Sequence, residues 1–493
     1  MPNQPSPQEV ASSLLASKDL DVQSITLLQS LWAGYGQICR VEASPKTQSP
    51  SNTRDATKST PQPTNTYILK LITPPPTTPN NESHTRKIFS YQIEQYFYTH
   101  LAPQMPASIP VAKCLSSINE QSSINEQNPD AGTSSSTTTT AMLLTDLKQD
   151  YPLPGEKRTA LTPTQTLAAL DWLSEFHGFW WSRVPTFDGD ELVLPPLEEQ
   201  LKREGSSSSS GNNDQTKNQQ KKKNSSIWLN GGYTYLSTRL DEFANLASDS
   251  DSEWSSVFTK PLVQVQPNST STSTSTSTST STSPLSLAQS IAQFLAPSSP
   301  QPQPPASNIP ITLTPTSNSI SPYLTLLHGD VKSENLFTSA SGERVAFYDF
   351  QYVGLGLGVC DLAKFCTCSV GAGMLLGGGD DGGGDGGEGG KGGKVSSLPR
   401  YLPMQSGERR LLERYWRNLL LAGDNNSNSN PNPNTTNKSY PWHLFVSHWE
   451  IALVDWLRFQ ASWGFWGNTG WLEGRVRWIL REGRVGATVL GGC

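Results

Sequence analysis

The residues best able to do chemistry are Leu326-Leu-His-Gly-Asp-Val-Lys-Ser-Glu-Asn335 and, shortly after, Phe347-Tyr-Asp-Phe-Gln351. Asp330 stands five residues before Asn335, and Asp349 follows fourteen residues later. Moving a phosphoryl group onto a hydroxyl needs a carboxylate beside the acceptor and oxygen ligands for Mg²⁺ at the triphosphate. A tight loop closed by Gly329 can aim Asp330 at the acceptor while Asn335, at its far end, faces the metal. Asp349, ending an apolar run, then supplies the charged ligand, and Mg²⁺ favours a few such oxygens plus phosphate and water. Turns rich in Asp and Asn occur in any protein. The added spacing to Asn335 and the strand before Asp349 set this stretch apart.

Such groups need elements to hold them. Leu31–Val41, Tyr67–Ile72 and Ala141–Leu144 read as strands, being short, β-branched or aromatic and bounded by turn formers. So do Leu324–Leu327, Leu336–Thr338 and Val345–Tyr348, set around polar loops. Arg86–Leu101 reads as a helix, with Phe89, Ile93, Phe97 and Leu101 at four-residue spacing. Thr164–Phe179 reads as another, with Thr164 as its N-cap. From Glu408 onward the pattern is helical. Trp442, Phe445, Trp449, Ala452, Trp456, Phe459 and Trp463 lie on one helical face, which we take as core rather than ligand-binding.

Of the 493 residues, only 16% are charged, and Ser, Thr, Asn, Pro and Gly fill the gap. Six stretches read as low-complexity, disordered insertions unable to bury a core: about 42–65, 116–140, 205–226, 265–309, 377–394 and 423–440. Ser116–Gln121 is repeated at once as Ser122–Gln127, and Ser and Thr alternate from Ser269 to Ser283. Leu285, Leu287, Ile291, Phe294 and Leu295, at helical spacing, mark a short helix inside the longest stretch. The Gly and Asp of 377–394 lack the apolar position a calcium-binding repeat needs, and Lys217 with Lys221–Lys223 reads as a solvated loop.

A net charge of −6 invites neither nucleic acid nor an anionic membrane surface. No stretch approaches the ~20 apolar residues of a membrane helix, and Met1-Pro-Asn-Gln-Pro does not open a secretory signal. The Asn-x-Ser/Thr triplets at Asn224, Asn268, Asn434 and Asn437 mean little without one. Six cysteines at 39, 114, 360, 366, 368 and 493 form no disulfide framework, and Cys366-Thr-Cys368 lacks companions for a metal. The expectation is a cytoplasmic enzyme.

The two catalytic stretches resemble the aminoglycoside phosphotransferase, choline kinase and ecdysteroid kinase-like (CHK kinase-like) superfamily, and His-Gly-Asp with Asp-Phe-Gln resembles the ecdysteroid kinase-like branch most. Trp32-Ala-Gly34-Tyr-Gly36-Gln-Ile-Cys-Arg-Val resembles a shortened glycine loop, whose glycines let the backbone approach phosphate; Cys39 stands where a third glycine is usual. Lys70, with apolar residues on both sides, is read as the lysine that holds phosphates. The resemblance makes Glu94 its orienting partner and Met142-Leu-Leu144-Thr145 the hinge for adenine. It gives Asp361, in Val359-Cys-Asp-Leu-Ala, the task of steadying the catalytic loop with His328, although an ordinary N-cap is an equal reading. His177 matches a family position and is equally well a satisfied core histidine. Phe-Gln after Asp349, where protein kinases have Phe-Gly, suits the small-molecule branch.

The resemblance thus implies an α+β, protein-kinase-like two-lobed fold. Residues 20–147 form the ATP-binding lobe, with an antiparallel sheet, and 148–493 a larger, mostly helical lobe for catalysis and substrate. ATP and Mg²⁺ are the implied cofactors, and the acceptor is a small-molecule hydroxyl. Asp330 is the catalytic carboxylate, Asn335 and Asp349 the metal ligands, and Gly34, Gly36, Lys70, Glu94, Leu144 and Thr145 the nucleotide contacts. The rival readings are a protein Ser/Thr kinase-like enzyme and a pseudokinase scaffold that binds partners through its insertions.

Overall fold

The computed structural model describes residues 5–46, 64–76, 81–122, 137–208, 226–262, 284–297, 318–377, 398–425 and 439–490. In chain order its elements are α1 (Pro7–Ala16), β1 (Leu20–Ser30), β2 (Gly36–Pro45), β3 (Asn65–Ile72), α2 (Glu82–Tyr96), β4 (Cys114–Ser122), β5 (Thr137–Thr145), β6 (Leu153–Pro154) and α3 (Pro163–Trp181). There follow α4 (Pro196–Ser208), α5 (Leu240–Ser248), α6 (Glu253–Thr259), α7 (Leu287–Leu295), β7 (Leu324–Leu327), β8 (Leu336–Thr338), β9 (Val345–Phe347) and β10 (Gly354–Leu357). Last come α8 (Val359–Ser369), α9 (Ala372–Leu376), α10 (Ser406–Asn425), α11 (Trp442–Trp463) and α12 (Thr469–Arg481). The class is the expected one: an antiparallel sheet in the N-terminal part and a mostly helical remainder.

The chain divides into two compact units, each drawn from three stretches. The first comprises Met1–Pro154, Pro196–Ser226 and Leu336–Gln351. Its five-stranded sheet has the order β1-β2-β3-β5-β4, each neighbour antiparallel. Alternation along β3 sends Leu69 and Leu71 to one face and Lys70 to the other. On the first face Leu69, Leu71, Cys39, Val41, Ala141 and Leu143 pack against Val10, Ala11, Leu14 and Leu15 of α1. Each Leu or Val so buried contributes about 1.5–3 kcal/mol. A capping box between Ser6 and Glu9 starts α1, and Asn81 caps α2 through the His84 N–H. Strands β6, β8 and β9 form a second small sheet in this unit.

The second unit comprises Gly155–Pro195, Ile227–Asn335 and Tyr352–Cys493. Helices α3, α8 and α11 supply much of its core, with β7 and β10 paired antiparallel. Phe445, Trp449, Ala452, Trp456 and Phe459 of α11 are buried as the aromatic periodicity predicts. Trp463 departs from that reading: at the C-terminal end of the helix it is exposed. Among the described residues no helix is long and apolar enough to cross a membrane.

Several boundaries move. The stretch expected as a strand from Leu31 begins as a turn, Trp32–Gly34, and extends only from Gly36. Helix α2 starts four residues before Arg86, and α3 is capped by Thr162 rather than Thr164, in a capping box with Gln165. Residues 116–122 and 137–140, expected inside an insertion, are strand; pairing along β5 overrides their polar composition. Likewise 205–208 extend α4, and 423–425 extend α10. Strand β1 and helix α1 were not expected. Register shifts at Val22/Ser24 and Leu27/Gln29 break the alternation that reveals a strand. The expected short helix is α7, capped by Ser286, with Ile291 and Leu295 buried. Ser269–Ser283, the Gly- and Asp-rich stretch 378–394, Lys217, Lys221–Lys223, Asn224, Asn268, Asn434, Asn437 and Cys493 lie outside the described residues.

Candidate active site

In the first unit, β3 and α2 bring Lys70 and Glu94 together. The Lys70 Nζ donates to Glu94 Oε2 at 2.6 Å and to Asp349 Oδ1 at 3.1 Å. Lys70 is 5% exposed and Glu94 2%, whereas the Asp349 side chain keeps 30% of its surface. Burial works to lower the Lys70 pKa, but the Asp349 and Glu94 carboxylates outweigh it and hold the ammonium above its usual range. Burial pushes the Glu94 carboxyl upward.

Asp349 follows β9 in a left-handed conformation, φ 67°, a strained choice for a residue with a side chain. Phe350, stacked on Phe97 with centroids 3.8 Å apart, anchors the turn. Gln351 then returns: its Nε2 donates to Asp349 Oδ1 at 2.7 Å, and its Oε1 accepts from the Ser90 hydroxyl of α2 at 3.2 Å. This is a use for the Gln of Asp-Phe-Gln that spacing did not reveal.

The glycine loop closes through the Leu31 N–H, which donates to the Gly36 carbonyl at 2.8 Å. Gly36 is obligatory: a Cβ there would lie 2.0 Å from the Leu71 carbonyl oxygen. Gly34 has φ +73° with open space around it. Tyr35, between them, is buried against Tyr91 and His84 of α2. At the expected hinge, Leu144 pairs with Ile68 on one side and Cys114 on the other. The Thr145 N–H donates to the Lys113 carbonyl at 2.9 Å. Hydrogen bonding within the sheet therefore already engages the Thr145 amide.

In the second unit the loop His328–Asn335 is pinned from α8. Asp361 accepts from the His328 N–H at 2.8 Å and the Gly329 N–H at 3.0 Å. It stands one turn into a helix whose N-cap is Gly358, so it is not itself the cap. His177 is wholly buried, its Nε2 3.1 Å from Asp361 Oδ2 and its Nδ1 2.7 Å from the Tyr415 hydroxyl. It orients Asp361 and lies behind the loop. The His328 ring nitrogen accepts from the Asp330 N–H at 3.2 Å. Gly329 has φ +83°, and a Cβ would meet the Tyr352 carbonyl at 2.2 Å.

Asn335 Nδ2 donates to the Asp330 carbonyl at 2.8 Å and to Asp330 Oδ2 at 2.9 Å. Two lysines that the sequence reading missed also reach Asp330. Lys332 Nζ lies 3.2 Å from Oδ2, and Lys364 Nζ contacts Oδ1. Burial presses the Lys364 pKa well below its ordinary value. The signal for Lys364 was available: three residues after Asp361 on a helix, it shares that residue's face. A cavity of about 40 Å³ beside it is lined by Asn230, Asp361, Lys364, Asp455 and Trp456, among others. That is room for a water or two, not for an acceptor molecule. Among the described residues no cluster of three metal-binding side chains occurs, and Cys366 and Cys368 are free thiols.

Residues 301–391 match the profile of the phosphotransferase enzyme family, APH. The matched segment contains Asp330, Asn335, Asp349, Asp361 and Lys364; Lys70 and Glu94 lie before it. Among solved structures, the amicoumacin kinase hAmiN in complex with AMP-PNP, Ca²⁺ and Ami aligns over 94% of this chain and 88% of its own. The identity is 11% and the TM-score 0.31. No curated protein matches the chain.

Proposed function

We propose that the protein is a phosphotransferase that uses ATP and Mg²⁺ to phosphorylate a hydroxyl of a small molecule. The observation that carries this reading is the buried contact of Lys70 with both Glu94 and Asp349, joined to a phosphotransferase segment. A lysine kept charged by two carboxylates suits an anionic triphosphate.

Each unit carries an oxygen donor of the kind magnesium favours. Asp349 is a hard oxygen donor with solvent access, and Gln351 and Lys70 both hold its carboxylate in place. Asn335 gives its amide nitrogen to Asp330, so its oxygen is the atom to ligate. Magnesium held by such oxygens would neutralise charge on the transferred phosphoryl group.

Within the chain, Asp361 and His177 hold the loop, and Asp330 orients the acceptor hydroxyl and takes its proton. Glu94 places Lys70, and Gly34 and Gly36 let the backbone approach phosphate closely. The hinge role falls to backbone around Leu144 and Thr145.

A small acceptor is favoured over a protein substrate by the chain after Asp349. Only Phe350–Val353 separate it from β10, and α8 follows at Val359. No activation segment fits in that interval.

The test is turnover against Mg²⁺ concentration for the parent and Asp349→Asn. The variant should be inactive at ordinary Mg²⁺ and recover in part at high metal. Parent turnover that ignores metal removal would refute the scheme.

A further inference from the structure

Both oxygens of the Asp330 carboxylate already have partners: Lys364 on Oδ1, and Lys332 with Asn335 on Oδ2. Three of the roughly four acceptor sites of a carboxylate are thus taken, and an acceptor hydroxyl gains full access to Asp330 most readily where a lysine yields. The two lysines are not equivalent.

The Lys332 side chain is partly exposed and has a second carboxylate, Glu334, at 2.6 Å. It can leave Asp330 without losing an ionic partner. Lys364 is buried, rises from α8 and lies 3.7 Å over the Tyr233 ring, with Trp456 further off. Among the described residues it has no second carboxylate within ion-pair distance. Leaving Asp330 would strand a buried ammonium, which is strongly unfavourable.

We propose that Lys364 is a positioning residue: it fixes the Asp330 carboxylate from the helix side, while Lys332 is the exchangeable partner that acceptor or phosphate replaces. Helix α8 then holds the loop twice. Asp361 grips its amides, and one turn later Lys364 grips its carboxylate. The small cavity next to Lys364 means that packing alone does not lock the lysine; the carboxylate and the Tyr233 ring do. The inference rests on Asp330 being the residue that faces the acceptor.

The experiment compares parent, Lys364→Met, Lys364→Arg, Asp330→Asn and the Lys364→Met/Asp330→Asn double variant. The reaction is Mg-ATP hydrolysis, with water as acceptor, followed by phosphate release. Lys364→Met should lower kcat roughly 10–10²-fold, the cost of a misplaced group, with KM for ATP within about twofold of the parent. Lys364→Arg, which retains a cation, should recover much of the loss.

A folded Lys364→Met with parental kcat, or one whose only change is a higher KM, overturns the inference. Full turnover in Asp330→Asn would instead sink the phosphotransfer reading and leave the lysine geometry untouched. Should the parent release no phosphate without an acceptor, thermal midpoints decide. The single-variant losses should be non-additive, with the double variant no worse than the worse single; additive losses overturn the inference.

Discussion

Replacing Lys70 by Met tests the buried ion pair at the centre of the first unit. At 2.6 Å and an effective dielectric of ~20, Lys70 and Glu94 attract by about 6 kcal/mol. Desolvation of two buried charges takes back much of that. Met fills the space of the lysine stem but leaves Glu94 buried without its cation, a loss of about 3–5 kcal/mol. Protonation relieves part of it, because burial already raises the Glu94 pKa. In a unit of ~150–250 residues each kcal/mol moves the thermal midpoint by roughly 2–4 °C, so a fall of several degrees is expected. Adding Glu94→Gln removes the stranded charge and should restore most of the midpoint. Neither variant should regain ATP-dependent turnover. Differential scanning fluorimetry with a turnover assay reads both. Parental stability in Lys70→Met, or a double variant no more stable than the single, would refute the reasoning.

Further expectations concern the second unit. Burial lowers the His448 pKa to about 4, with its Nδ1 2.5 Å from the Tyr440 hydroxyl. Its stabilising contribution is complete above the unfolded value near 6.5 and is lost as pH falls toward 4, about 2 kcal/mol by pH 5. His448→Gln should flatten that part of the stability–pH curve; an unchanged acid limb would count against it. Deleting Ser269–Ser283 should leave the thermal midpoint and turnover near the parent, since loop shortening changes closure entropy by less than about 1 kcal/mol. Ile291→Ala, in the buried face of α7, should cost about 2–4 kcal/mol; a neutral Ile291→Ala would mean that α7 does not dock.

The candidate stretch around Asp330 was legible because its information is local. Asp330, Gly329 and Asn335 lie within one short loop, and Asp349 ends an apolar strand. Lys70 was legible because a lone charge in an apolar strand stands out. Lys332 was not, and Lys364 carried only its place one turn after Asp361, since a lysine's partner is set by tertiary packing rather than by its neighbours in sequence. Gln351 needed the left-handed turn at Asp349 before its amide could return to that carboxylate. His177 could be read either way until its two ring nitrogens were seen to bond Asp361 and Tyr415. Bulges hid β1, and composition hid the ends of β4 and β5, where Ser, Asn and Thr resemble a linker.

The most direct test is transfer of labelled phosphate. Purified protein is incubated with γ-labelled ATP, Mg²⁺ and a fractionated extract of hydroxylated metabolites, alongside Asp330→Ala. The account predicts a labelled, alcohol-linked phosphate product that forms with the parent and falls by roughly 10²–10⁴-fold with Asp330→Ala, while ATP binding stays near parental. A product formed equally well by both proteins, or no ATP binding by the parent, would contradict it.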